Sequence, residues 1–174
     1  AREYMLARIA SFDLDSQIEA TGKAYELLGL VEPGTDVLGV VLDALREQAG
    51  GFYDPKDKAF YLLDDLPPGV ASVVVAHELT HALEDQHFDL DARMRDVVDD
   101  DDRSFAVGAV HEGSATLIMS MFLARGVLDG TVDAAAFSGL EEGFGAAGLS
   151  EGMPPALLRE LIGPYLLGPG FLTR

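Results

Sequence analysis

Apolar and polar positions alternate along most of this chain in the blocks expected of helices, interrupted once by a strand-like stretch. Residues 3–12 and Asp15 to Leu28 read as helical, with Gly29 placed to stop the second. Glu32-Pro33-Gly34 is a turn signal. Thr35 or Asp36 then caps a helix through about Gln48, ended by Gly50-Gly51. Residues 51–63 read as a hairpin. Gly51-Phe52-Tyr53 and Lys58 to Leu63 form its arms, and the turn lies around Asp54-Pro55-Lys56-Asp57. Pro67-Pro68-Gly69 opens a further helix whose first half, Val70 to Ala76, is nearly apolar and is expected in the core. A second long apolar segment runs from Phe105 to Ala124. Beyond a glycine-rich stretch, Gly139 to Gly152, a last helix starts at Pro154-Pro155. It runs to about Leu167 and is broken by Gly168-Pro169-Gly170. The pattern predicts an α+β fold, rich in helix, with a small sheet ahead of the helix that contains His77.

Composition narrows the setting. With 174 residues and 48% apolar content, one domain spanning 1–174 can bury a core without staples, residues 1–30 forming an N-terminal helical segment. The chain begins at Ala1 with no initiating Met and no visible secretory signal, as a processed form or a fragment of a longer protein would. Zero cysteines fits any redox compartment, and the reading leans to an extracytoplasmic or secreted one. A formal charge of −18 opposes nucleic-acid binding, since phosphates would be repelled. No membrane span is expected, because the longest candidate carries His111 and Glu112 near its middle. The acidic run Asp99 to Asp102 lacks the spaced ligands of a calcium loop and reads as a solvated loop. Oligomeric state is left open.

The chemistry concentrates at His77-Glu78-Leu79-Thr80-His81. Positions i and i+4 lie about one turn apart on one helix face, so two imidazoles can grip one zinc ion. Glu78 beside them can reach a water at that ion. The bland alternative is an amphipathic helix with two incidental histidines, but inside an apolar helix these groups demand partners or a metal. A catalytic site of this type needs a third protein ligand. His87 has the spacing of HExxHxxGxxH, yet the glycine that pattern requires is here Glu84, a good helix former. Glu112 is the stronger candidate, a lone carboxylate in an apolar segment. Gly113, Ser114 and Ala115 after it would let two helices approach closely. His111 points about 100° away from Glu112 on a helix and is better placed to line a cleft.

HExxH followed by Glu112-Gly113-Ser114-Ala115-Thr116 resembles the gluzincin-type zinc metallopeptidases. More closely, the chain is similar to a bacterial group of putative neutral zinc metallopeptidases with a peptidase-MA-like, zincin-like domain. The likeness runs through Gly51 to Pro55, His77 to Phe88 and the Glu112 segment, and more loosely to Pro164-Tyr165. It implies a zincin-like fold, Zn2+ held by His77, His81 and Glu112, and a peptide or protein substrate. Many gluzincins place an aspartate four residues after the ligand glutamate to orient a histidine. Thr116 stands there in this chain, and Asp85 is a possible substitute.

The mechanism expected from these residues is peptide-bond hydrolysis. Zinc would activate a water, Glu78 would act as general base, and Tyr165 would donate to the oxyanion, with His111 and His87 as rivals. The strand Lys58 to Leu63 is expected to pair with extended substrate. Three other readings stay open. One is a catalytically silent zincin-like binding module. Another is a metzincin-like peptidase using His87. The last is a di-iron protein built on Glu78-x-x-His81, for which the chain lacks a second copy.

Overall fold

The computed structural model describes residues 15–48, 50–62, 66, 68–133 and 153–174. Among them the order is α1 (Asp15–Leu27), α2 (Val37–Gln48), β1 (Gly51–Asp54), β2 (Ala59–Leu62), α3 (Pro68–Phe88), α4 (Leu90–Val97), α5 (Asp101–Asp129) and α6 (Pro155–Leu172). The class is the expected one, mostly helical with a two-stranded antiparallel sheet. The expected helix over residues 3–12 and the glycine-rich stretch from Gly139 to Gly152 lie outside the described residues.

The chain divides into two compact units. The first comprises Ala1–Gln48 and Ala146–Leu161, the second Ala49–Gly145 and Ile162–Arg174. In the first, α1 ends as its sequence predicts. Gly29 takes a left-handed φ of 69°, Leu30 N–H donates to the Tyr25 carbonyl and Gly29 N–H to that of Glu26. Asp36 rather than Thr35 caps α2, its side chain accepting from Gly39 N–H at 2.9 Å. Val31, Val37 and Leu157 form this unit's core.

The second unit holds the candidate chemistry. Its hairpin pairs Gly51 with Leu62, Phe52 with Tyr61, Tyr53 with Phe60 and Asp54 with Ala59. Lys58, expected in the second strand, is instead a turn residue with φ 53°. The apolar first half of α3 is buried as expected: Val70, Val73 and Val74 pack with Leu123 of α5 and with Val132. The helix α4 was not anticipated; its cap is Asp89, whose side chain accepts from Ala92 N–H. The acidic run is solvent-exposed as expected, and Asp99 and Asp100 lie between helices, but its second half is helical. Asp100 caps α5 by accepting from Arg103 N–H, and Asp101 and Asp102 occupy its first turn, where negative charge favours the helix dipole.

The last helix does not break at Gly168-Pro169-Gly170 but continues to Leu172, with Pro164 and Pro169 inside it. Gly168 serves packing instead. A Cβ on Gly113 of α5 would lie 2.5 Å from the Gly168 carbonyl carbon, and one on Gly168 would collide with the Ala109 carbonyl oxygen. The two glycines let α5 and α6 cross backbone to backbone. By length and composition α5 alone among the described residues is long and apolar enough to cross a membrane.

Candidate metal centre

His77 and His81 stand one turn apart on α3, and Glu112 on α5 faces them. The separations are 3.1 Å from His77 Nε2 to Glu112 Oε2, 3.1 Å between the two Nε2 atoms, and 3.4 Å from His81 Nε2 to Glu112 Oε2. Metal ions of the zinc type hold nitrogen and oxygen at about 2.0–2.2 Å, which sets neighbouring tetrahedral ligands roughly 3.3–3.5 Å apart. The three observed separations fall at or just below that spacing, so one ion can reach all three atoms. A proton network explains the geometry less well. Two imidazole Nε2 atoms in contact can share only one proton, and both also crowd one carboxylate oxygen. The three residues form a group that could hold a metal ion.

Burial sharpens the demand for a positive charge. His77 and Glu78 are 9% and 7% exposed on a helix whose previous turns enter the apolar core. Burial pushes the Glu112 carboxyl up, but hydrogen bonding from His77 and His81 outweighs it and holds the pKa at about 2. Burial disfavours the His81 cation, yet the Glu112 and Glu84 carboxylates carry its pKa up to about 10. Burial raises Glu78, against the opposing pull of both histidines and of the Tyr53 N–H.

The hairpin supplies that N–H. Tyr53 donates its backbone N–H to Glu78 Oε2 at 2.8 Å, and its hydroxyl donates to Asp85 Oδ2 at 2.7 Å, two turns further along α3. Asp85 also accepts from Lys58 Nζ at 2.6 Å and from Leu90 N–H at 3.0 Å. Thus β1, and not the strand from Lys58 onward, lies against the helix, and Asp85 anchors it there. The suggested role of Asp85 in orienting a histidine is replaced by this anchor.

Tyr165 reaches the centre from α6. Its ring stacks on His77 at 6.1 Å with 18° between planes. The residue is 43% exposed, but its hydroxyl end is enclosed close to Glu112. Burial there and the Glu112 charge hold the phenol well above its ordinary pKa of 10. The Gly113–Gly168 crossing explains the placement, since Glu112 adjoins one glycine and Tyr165 lies about one turn before the other.

His111 does not join this group. Its Nδ1 lies 2.9 Å from Glu84 Oε2, and Ser114 Oγ donates to Glu84 Oε1. Glu84 Oε2 is also 3.6 Å from His81 Nδ1. Burial raises the Glu84 carboxyl, but the bonds from His111, His81 and Ser114 bring it down to about 2. Nδ1 of His77 and Oγ1 of Thr116 are buried without a hydrogen-bond partner. His87 lies in the last turn of an unbroken helix, roughly 15 Å along the axis from His77. It is outside the ligand group.

Sequence reasoning missed Glu84 and Tyr53. Glu84 follows His81 by three, a spacing that signals a shared face, whereas no sequence feature marks a backbone N–H as the partner of Glu78. A cleft of about 450 Å3 lined by Ile18, Lys23, Glu26, Thr35 and Asp36 belongs to the first unit and, among the described residues, holds no group of this kind. Compared with known proteins, the chain matches no family model, no curated protein and no solved structure.

Proposed function

We propose that the protein is a zinc-dependent peptidase of the zincin type, with His77, His81 and Glu112 as the metal ligands. The observation that carries this reading is the convergence of two imidazole nitrogens and one carboxylate oxygen beside the buried carboxylate of Glu78. Two histidines and one carboxylate leave a fourth position for water or substrate, the donor set of catalytic rather than structural zinc. When bound, zinc supplies Lewis-acid polarisation of the scissile carbonyl and acidifies a neighbouring water.

The chain's own groups do the rest. Glu78 takes the proton of the attacking water as its oxygen bonds to the carbonyl carbon. It delivers that proton to the departing amine when the C–N bond breaks. Burial that raises the Glu78 carboxyl suits a group that must both accept and return a proton. Tyr165, stacked on His77 with its hydroxyl near Glu112, donates a hydrogen bond to the oxyanion. The Tyr53 N–H of β1 holds the general base from the side of the hairpin.

A digest of a broad peptide library by the zinc-loaded protein, beside Glu78→Gln, tests the reading. Glu78→Gln is expected to retain about one zinc per chain. Its hydrolysis falls by about 10²–10⁴-fold. Undiminished cleavage in that variant removes Glu78 from the mechanism. A wild type that takes up no zinc removes the reading altogether.

A further inference from the structure

We propose that Glu84 is the positioning carboxylate of the metal centre, holding His81 from behind while His111 and Ser114 of α5 hold Glu84. The inference rests on the metal reading above and adds to it a residue that touches neither ion nor substrate.

A histidine ligates through one ring nitrogen, and the partner of the other nitrogen decides the tautomer and the angle of the ring. At His81, Nε2 faces Glu112 and His77, and Nδ1 faces Glu84 Oε2 at 3.6 Å. At that separation Glu84 makes no hydrogen bond to the ring, but its charge favours the proton on Nδ1 and so the Nε2 lone pair for the metal. Such a carboxylate must itself be fixed, or it gains nothing in precision. Glu84 is fixed at both oxygens. Oε2 takes His111 Nδ1 at 2.9 Å, and Oε1 takes the Ser114 hydroxyl. Both of these groups flank Glu112 on α5. The same carboxylate therefore orients one ligand on α3 and ties α3 to the segment of α5 that carries another. His77 has no equivalent, for its Nδ1 is buried without a partner. The outer support of the centre is one-sided, and Glu84 is the group that provides it.

The test uses the full chain, stripped with a chelator and titrated with Zn2+ against a chromogenic competitor, with Co2+ as a spectroscopic substitute. Glu84→Gln is expected to weaken zinc affinity by about 10–100-fold, the usual cost of losing an outer partner. It should also shift the visible bands of the Co2+ form. A loss of stability alone would lower the folded fraction without moving those bands. Ser114→Ala and His111→Gln should change affinity and bands in the same direction by a smaller factor, and they decide the matter if Glu84→Gln does not fold. Wild-type affinity with an unchanged Co2+ spectrum overturns the role of Glu84 and leaves the metal reading standing. Failure of the wild type to bind either ion overturns both.

Discussion

Tyr53 and Glu78 are joined through the backbone of one and the side chain of the other, N–H to Oε2 at 2.8 Å. In an antiparallel pair, residues whose N–H groups point away from the partner strand alternate with those that bond to it. Tyr53 is of the outward kind, and its N–H is spent on the proposed general base. The tyrosine ring then fixes that strand position by reaching Asp85.

Removing the hydroxyl should show this. Tyr53→Phe leaves the buried Asp85 with the Lys58 and Leu90 donors only. It is expected to cost about 1–2 kcal/mol in urea unfolding. Turnover should fall more than KM rises, since the loosened strand misplaces the proposed general base Glu78. Equal stability and unchanged kcat would show that the ring does not set the strand.

Glu112→Ala reduces the ligand group from three side chains to two. Elemental analysis after dialysis against a weak chelator should find most of the zinc gone, a larger loss than the roughly 10–100-fold of an outer-partner variant. Full occupancy in this variant would refute the third-ligand assignment.

Asp85 sets a pH dependence away from the candidate metal group. Its burial raises the carboxyl, but Lys58, Tyr53 and Leu90 outweigh this and hold it below the ordinary 3.8. A carboxyl depressed in the folded state stabilises the fold at pH above 3.8, and that contribution is lost as the pH falls below it. Denaturant unfolding between neutral pH and about pH 3 should lose stability more steeply in the wild type than in Asp85→Asn. Identical slopes would assign the acid sensitivity to other groups.

Gly113→Ala would drive a methyl group into the α6 backbone at Gly168. Overpacking of this kind costs about 1–3 kcal/mol. It should also slow hydrolysis, because Tyr165 is carried by the helix that must move. Thermal unfolding and peptide cleavage on the same preparation check both; an unaltered melting temperature would contradict the crossing.

Much of this was legible in the residues. The Val70 to Ala76 run announced a buried helix, and HExxH placed two imidazoles on its next turns. A lone glutamate in an apolar segment pointed to Glu112. What could not be read were relations between elements. Gly113 was expected to admit the histidine helix, yet its missing side chain admits α6, because a small residue reports a close approach without naming the partner. Gly168 looked like a helix terminator for the same reason: glycine's local cost was visible and the packing gain was not. The Asp100 cap was hidden in an acidic run whose repulsion suggested solvent, although one carboxylate on the first turn's N–H groups starts a helix.

Along α3, grease comes first and chemistry second: Val70, Val73 and Val74 pack at one end, and His77, Glu78, His81 and Glu84 occupy the other. Mutational tolerance is thereby partitioned by distance along a single axis. Substitutions at the histidine end leave the hydrophobic anchor in place, so a variant stripped of its metal group still keeps what holds the helix in the fold.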